Sequence, residues 1–219
     1  IILPPISCYV DCVTVSLSRR DLFAGAAALL VPLPAAGQSP GHEITDWIAI
    51  GSDGEVTLGL SQPEVGQGSY TALPQILAEE LDADWARIKV RFVTGREAYK
   101  IAFKDEPPVQ KEGASMSTTT LYARLRTAGA AAREVLVRAA ARRFGYAEGE
   151  CRTEKGFVIG RDRVRLSYGE LAEEAAKLPL NPSPQLKDPA RFALIGKPIK
   201  RLDTPAKCTG AAVFGIDVD

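Results

Sequence analysis

The residues best suited to ligand chemistry lie in Leu60–Leu81, LSQPEVGQGSYTALPQILAEEL. The stretch ends an alternating apolar run (Val56, Leu58, Leu60) and crosses a loop centred on Gly66-Gln67-Gly68. It then enters a helical pattern with Leu73, Ile76, Leu77 and Leu81 on one face. Strand, glycine loop and helix in that order form a place for an anion. Gly66 and Gly68 can take positive φ and let a ligand approach the backbone, and the free N–H groups that open the helix point into the same space. No Lys or Arg lies between Leu60 and Leu81, so a phosphate held there would depend on amides, Gln67 and the hydroxyls of Ser69 and Thr71. A second such place is Gly113-Ala114-Ser115-Met116-Ser117-Thr118-Thr119-Thr120, where several hydroxyls follow a glycine and precede another helical pattern. One hydroxyl suffices for an N-cap; three or four also allow an amide-and-hydroxyl cradle. On spacing alone a plain turn and a helix cap are open alternatives for the two loops.

The elements that must position these loops follow from the remaining pattern. Between Trp47 and Leu60 two apolar segments flank Ser52-Asp53-Gly54, which predicts a β-hairpin. Ile88, Val90, Phe92 and Val93 predict a strand after the connection Asp82-Ala83-Asp84-Trp85. The region from Thr94 to Met116 has no periodicity and reads as a long loop. A long alanine-rich helix is expected from about Thr119 to Phe144, with Leu121, Leu125, Ala128, Ala132, Val135 and Ala139 as its apolar stripe. Its arginines Arg124, Arg126, Arg133, Arg138, Arg142 and Arg143 read as a solvated surface. A second hairpin is expected around Gly160-Arg161-Asp162. Ser167-Tyr168-Gly169-Glu170 is a capping box opening a short helix to Lys177. The fold class is α+β, with mixed α/β layers of hairpin and strand–loop–helix units beside a long helix.

Composition limits the partners. The 219 residues are 46% hydrophobic and carry 27 basic and 27 acidic side chains, so nothing favours nucleic acid or an anionic membrane surface. Four cysteines (Cys8, Cys12, Cys151, Cys208) without CxxC spacing and a single histidine, His42, do not form a zinc or iron–sulfur ligand set. The cysteines read as free thiols, with a Cys151–Cys208 bridge open to an exported protein. Residues 18–37, SRRDLFAGAAALLVPLPAAG, pair two arginines with an apolar run too short for the roughly 20 residues of a membrane span. Ser18-Arg19-Arg20-Asp21-Leu22-Phe23 resembles the bacterial twin-arginine export signal; an ordinary secretory signal or an uncleaved anchor is the other reading. Ile1 and the strand-like final run AAVFGIDVD suggest part of a longer chain.

Three stretches together carry a resemblance. They are Ser61-Gln62-Pro63-Glu64-Val65-Gly66-Gln67-Gly68 with the AEEL helix, Gly113-Ala114-Ser115-Met116-Ser117-Thr118, and Ile195-Gly196-Lys197-Pro198 through Arg201-Leu202-Asp203, Lys207 and Thr209-Gly210. From about Glu43 to its end the chain resembles the molybdopterin-binding large subunits of the xanthine dehydrogenase and aldehyde oxidase family, in the exported branch typified by isoquinoline 1-oxidoreductase.

The resemblance implies that Val65, Gly66, Gln67 and Gly68 lie against the pterin, and that Ser115, Ser117 and Thr118 hold the dinucleotide phosphates. It implies a molybdenum-bearing molybdopterin, expected in the cytosine dinucleotide form although the motifs do not choose the base. It also implies [2Fe-2S] clusters on a small iron–sulfur subunit, a cytochrome c electron acceptor and a small-molecule substrate, an aldehyde or N-heteroaromatic compound hydroxylated with water as oxygen source. The expected organisation is a leader at 1–37, a molybdopterin-binding region at 38–178, a Pro-rich linker at 179–193 and the start of a second, hammerhead-like domain at 194–219. The expected location is the periplasm, with membrane association open. The general-base glutamate that this family places near the end of a much longer chain has no counterpart here, so no catalytic residue and no protein metal ligand is assigned. Glu64, beside the glycine loop, is expected to be solvated. A non-catalytic remnant or periplasmic binding module of the same fold is the alternative.

Overall fold

The hairpin expected around Ser52-Asp53-Gly54 closes with Ile48 opposite Leu58 and Ile50 opposite Val56, joining β2 (Ile48–Gly51) to β3 (Val56–Leu60). This is a computed structural model that describes residues 41–102 and 107–217. The leader expectation for 1–37, with its paired Arg19 and Arg20, and Cys8 and Cys12 lie outside the described residues. A strand not anticipated from the sequence, β1 (Gly41–Thr45), adds to β2 antiparallel. On the other edge β4 (Ile88–Phe92) runs parallel to β3, which makes a four-stranded sheet in the order β1-β2-β3-β4.

Parallel neighbours need a crossover. Here it is α1 (Ser69–Leu81), whose Leu73, Ile76, Leu77 and Leu81 are buried as the periodicity requires. The long helix α2 begins at Ser117 and ends at Phe144, two residues earlier at its start than expected. Leu121, Leu125, Ala132, Val135 and Ala139 of its predicted stripe are fully covered. Gly129 sets how closely α1 and α2 pack, because a Cβ there would lie 2.7 Å from the Leu77 carbonyl oxygen and 2.8 Å from Glu80 Cβ.

The second hairpin proves to be a three-stranded antiparallel meander, β5 (Arg152–Glu154), β6 (Phe157–Ile159) and β7 (Arg165–Ser167). The extra turn is Lys155-Gly156, with φ of 44° and 79°, a two-residue turn that matches strand twist. The capping box forms as expected: Ser167 Oγ accepts from the Glu170 N–H, and Glu170 Oε2 accepts from the Ser167 N–H, opening α3 (Tyr168–Ala175). Tyr168 is fully buried and donates to the Leu81 carbonyl at 2.6 Å, tying α3 to the end of α1. The result is the mixed α+β architecture read from the sequence.

The arginines of α2 depart from expectation. Arg126 and Arg133 are mostly covered, because they converge on Glu80, whose side chain is wholly buried. Arg126 Nη2 stands 2.6 Å from Glu80 Oε1 and Arg133 Nη1 stands 3.3 Å from Oε2. A carboxylate cannot be buried uncompensated, so the helix that reads as solvated supplies the counter-charges.

The same groups hold the Pro-rich stretch. Arg138, Arg133 and Arg126 donate to the carbonyls of Pro179, Gln185 and Lys187, while Glu134 accepts from Asn181 Nδ2 and the Gln185 N–H. The buried Glu79 receives the N–H groups of Ala193, Leu194 and Ile195 on one oxygen and Lys187 Nζ on the other. Burial pushes the Glu79 carboxyl up, but these donors outweigh it and hold the group below its ordinary range.

Replacing Glu80 with Gln leaves two covered guanidinium groups without a counter-charge, so thermal or denaturant unfolding should show a loss of about 3–5 kcal/mol. Replacing Glu97, whose pair with Lys100 is exposed, with Ala should cost less than about 1 kcal/mol.

Candidate functional site

The loop after β3 takes its shape from one side chain. Gly66 and Gly68 adopt φ of 111° and 90°, and these turns aim alternate amides inward. Their target is Glu64: Oε1 accepts from the N–H of Gly66 and Gly68, both at 2.9 Å, and Oε2 accepts from the Tyr70 N–H at 2.8 Å. Arg201, far along the chain, adds a donor to Oε1 at 3.1 Å. Glu64 is therefore largely covered and charge-paired, which corrects the expectation of a solvated carboxylate. Burial pushes its carboxyl up, but the amides of Gly68, Tyr70 and Gly66 and the Arg201 charge prevail and hold it below the usual range.

The remaining polar groups of the loop are also engaged. Gln67 accepts from the Val65 N–H at 2.7 Å and donates to the Pro63 carbonyl and Ser69 Oγ, each at 2.8 Å. Thr71 Oγ1 accepts from the Leu202 N–H at 3.0 Å. The opening of α1 is thus filled by a carboxylate of its own loop, and the hydroxyls suited to a phosphate have internal partners. What the loop offers outward is space. A Cβ added at Gly66 or Gly68 would meet nothing within 4 Å, and Val65 is 75% exposed. Beside Gly66 lies a cavity of about 570 Å³, walled also by Tyr70, Asp203, Lys207, Val213 and Phe214.

The start of α2 is built differently. Gly113 has φ of 149°, and Ala114 and Ser115 both occupy the left-handed region, φ 51° and 54°, which non-glycine residues enter at a cost. Met116 stands at the cap and no side chain caps the helix. The buried Ser117 hydroxyl lies 2.8 Å from both oxygens of Glu112, and Thr120 Oγ1 donates to the Met116 carbonyl at 2.7 Å. Ser115 and Thr118 are exposed. Here the carboxylate takes one hydroxyl, and the first turn of a 28-residue helix, exposed at Thr118 and Thr119, keeps its positive end toward solvent.

Of the residues singled out in the sequence, Val65 and Gly66 line the cavity with the 202–214 stretch, and Gln67 and Gly68 complete the same loop. Ser115, Ser117 and Thr118 do not line that cavity and form a separate site at the start of α2. The two loops are linked through Gln110, whose Nε2 donates to the carbonyls of Ser61 and Val93. Glu64, Glu112 and Arg201 join the site residues only in the structure. The sequence does hold a signal for two of them: each loop carries a Glu five residues before its first helical Ser, and each Glu approaches that Ser hydroxyl. Cys151 and Cys208 are both free thiols. Among the described residues no group of three or more His, Cys, Asp or Glu is arranged to hold a metal.

The family model described as the molybdopterin cofactor-binding domain matches residues 25–219. The chain is 33% identical over 190 residues to the membrane-bound aldehyde dehydrogenase (pyrroloquinoline-quinone) of Gluconacetobacter polyoxogenes, covering 80% of this chain and 22% of that protein. It is 31% identical over 255 residues to the beta subunit of isoquinoline 1-oxidoreductase of Brevundimonas diminuta, covering 94% and 32%. It is 32% identical over 217 residues to the B subunit of nicotinate dehydrogenase of Pseudomonas putida, covering 92% and 17%. The chain thus spans no more than about a third of the length of these relatives.

Glu64→Gln places an amide N–H₂ where only acceptors are tolerated, so the loop should lose about 1.5–3 kcal/mol of local stability. Amide hydrogen exchange at Gly66, Gly68 and Tyr70 should accelerate accordingly. Because folding lowers the Glu64 pKa, its contribution is present above the unfolded carboxyl range and is lost as pH falls through the folded value. The gap between wild type and Glu64→Gln should therefore be widest near neutrality and close on acidification.

Proposed function

The chain belongs to the molybdopterin cofactor-binding domain family, and from that premise we propose that it is the cofactor-binding part of an exported molybdenum hydroxylase. The larger enzyme hydroxylates an aldehyde or an N-heteroaromatic compound with water as the oxygen source. The observation that carries this reading is the contrast between the two loops. Glu64 already occupies the α1 amides, so a phosphate would be repelled there, while the open space at Gly66 and Gly68 suits a flat, uncharged ring system. The α2 opening has exposed Ser115 and Thr118 beside an unfilled helix start, which suits phosphate oxygens. Val65, Gly66, Gln67 and Gly68 would hold the pterin and Ser115, Ser117 and Thr118 the dinucleotide, in the cytosine form.

When bound, the molybdenum cofactor supplies the two-electron oxidation of substrate. This chain's residues supply binding and orientation: the glycine loop, kept rigid by Glu64, presents backbone without side chains, and the α2 start orders the anionic end. Among the described residues none is assigned the role of general base, and in this reading the part alone is inactive. The names of the relatives, an aldehyde dehydrogenase, an isoquinoline oxidoreductase and a nicotinate dehydrogenase, support the substrate class. Two of those names are of subunits, which supports a partner subunit; in this reading it is a small iron–sulfur subunit carrying [2Fe-2S] clusters, with a cytochrome c as electron acceptor. Arg19 and Arg20 before a short alanine-rich apolar run support folded export to the periplasm.

Metal and pterin analysis of the purified holoenzyme tests the assignment: molybdenum and pterin should be present in equal amounts, and a bound quinone with neither would contradict it. Gly68→Val should lower both together, because a branched side chain enters the ligand's space at a positive φ. Thr118→Ala should weaken retention roughly 10-fold through the loss of one hydrogen bond to a charged group. In Thr118→Ala the apoprotein melting temperature should stay within a few degrees of wild type, whereas valine at the φ of 90° of Gly68 strains the loop and should lower it. Replacing Arg19 and Arg20 with Lys should leave the protein in the cytoplasm, and unchanged periplasmic delivery would refute the export route.

A further inference from the structure

The cavity beside Gly66 has two walls that are far apart in sequence. Val65, Gly66 and Tyr70 form one, while Ala206, Val213 and Phe214 belong to the other. The second wall has little burial of its own, with Val213 74% and Phe214 55% exposed, and its short helix α4 (Thr204–Thr209) has no buried residue. Its place must therefore be set by ties to the rest of the molecule. The stretch leading to it runs antiparallel along α1. Lys187 lies at Glu79 and Asp82, the Leu194 carbonyl accepts from Gln75, and the Leu202 N–H reaches Thr71. Next to the wall stands the charged tie, Arg201 on Glu64, one residue before the Leu202–Thr71 bond.

That arginine is itself oriented. Asp203 grips it as a fork, Nε to Oδ1 at 3.0 Å and Nη2 to Oδ2 at 2.8 Å, and Lys207 donates to the same Asp203 oxygen. Two carboxylates and two cations thus alternate, Glu64, Arg201, Asp203 and Lys207, and the network is charge-balanced. Its members come from both walls: Glu64 from the loop, Asp203 and Lys207 from the cavity's far side.

We propose that Glu64 and Arg201 form a latch that registers the 203–214 wall against the glycine loop, with Arg201 as a positioning residue for whatever the cavity holds. The proposal rests on the reading of that loop as cofactor-binding. It separates two roles of Glu64. The amides of Gly66, Gly68 and Tyr70 need the carboxylate alone, whereas the wall needs the guanidinium. Removing Arg201 should leave the loop formed and the wall held to α1 only through the Leu202–Thr71 bond, without its charged link to the loop.

The test uses Arg201→Met and Arg201→Lys in the holoenzyme, with wild type alongside. In Arg201→Met the half-time for loss of molybdenum and pterin on gel filtration should fall about 10-fold, as expected for one charge-assisted contact. Proteolytic cleavage within 204–214 should accelerate by a similar factor in the cofactor-stripped protein. The apoprotein melting temperature should move by no more than about 3 °C, since the Arg201 side chain is 39% exposed and Lys207 still pairs with Asp203. Arg201→Lys should recover part of both losses, because an ammonium can reach Glu64 but cannot fill the Asp203 fork. Wild-type retention and cleavage in Arg201→Met would overturn the latch. So would losses accompanied by a large fall in apoprotein melting temperature, which marks general unfolding. A wild-type enzyme devoid of pterin would overturn the cofactor reading instead, and cleavage alone would then decide the latch.

Discussion

Two fully covered carboxylates side by side near the end of α1, Glu79 and Glu80, impose the constraint on which the rest of this molecule depends. Neither can stay charged in the interior without donors. Glu80 draws Arg126 and Arg133 inward from α2, and Glu79 draws three consecutive N–H groups and Lys187 from the stretch that follows the prolines. These demands fix α2 against α1 and lay residues 187–203 along α1 in the opposite direction. A helix whose apolar face serves the sheet thus uses its polar face to organise everything beyond the sheet.

The other end of α1 obeys the same rule with a different consequence. Glu64 supplies the anion that a helix start favours, and it does so from within the loop. The glycines are then required for two reasons: their positive φ turns the amides toward Glu64, and their missing side chains leave the outer surface flat and open. A loop that reads as an anion cradle becomes a neutral platform. The α2 start, where Glu112 engages the Ser117 hydroxyl and Ser115 and Thr118 stay exposed, keeps the property that the first loop has given up. The proposed division between a neutral ring and charged phosphates rests on where the chain places its own carboxylates.

Local signals in the sequence are enough for much of the fold. The alternation either side of Ser52-Asp53-Gly54, the stripe of α1, the stripe of α2 and the Ser167/Glu170 box each act within one element, and each forms in the structure. β1 is hard to read because five residues beginning Gly41-His42-Glu43 show only one fully buried position, Ile44. The turn at Lys155-Gly156 is hidden because Lys at positive φ is not a typical turn signal. The pairing of Arg126 and Arg133 with Glu80 is illegible for a different reason: it joins residues 46 and 53 positions apart, and a basic helix looks the same in sequence whether or not its charges are buried. Glu64 looks solvated in the sequence because its burial depends on the dihedral angles of two glycines and on an arginine 137 residues away. Motifs pick out the two loops, while the interactions that shape them are long-range and emerge only in the folded chain.

Glu64, rather than a ligand phosphate, should cap α1 in the working enzyme, and the most direct measurement is a crystal structure of the cofactor-loaded holoenzyme. The account predicts Glu64 still within hydrogen-bond distance of the Gly66, Gly68 and Tyr70 amides, an uncharged ring face against Gly66 and Gly68, and phosphate oxygens beside Ser115 and Thr118. A phosphate seated on the Gly68 and Tyr70 amides, with Glu64 turned out to solvent, would contradict it.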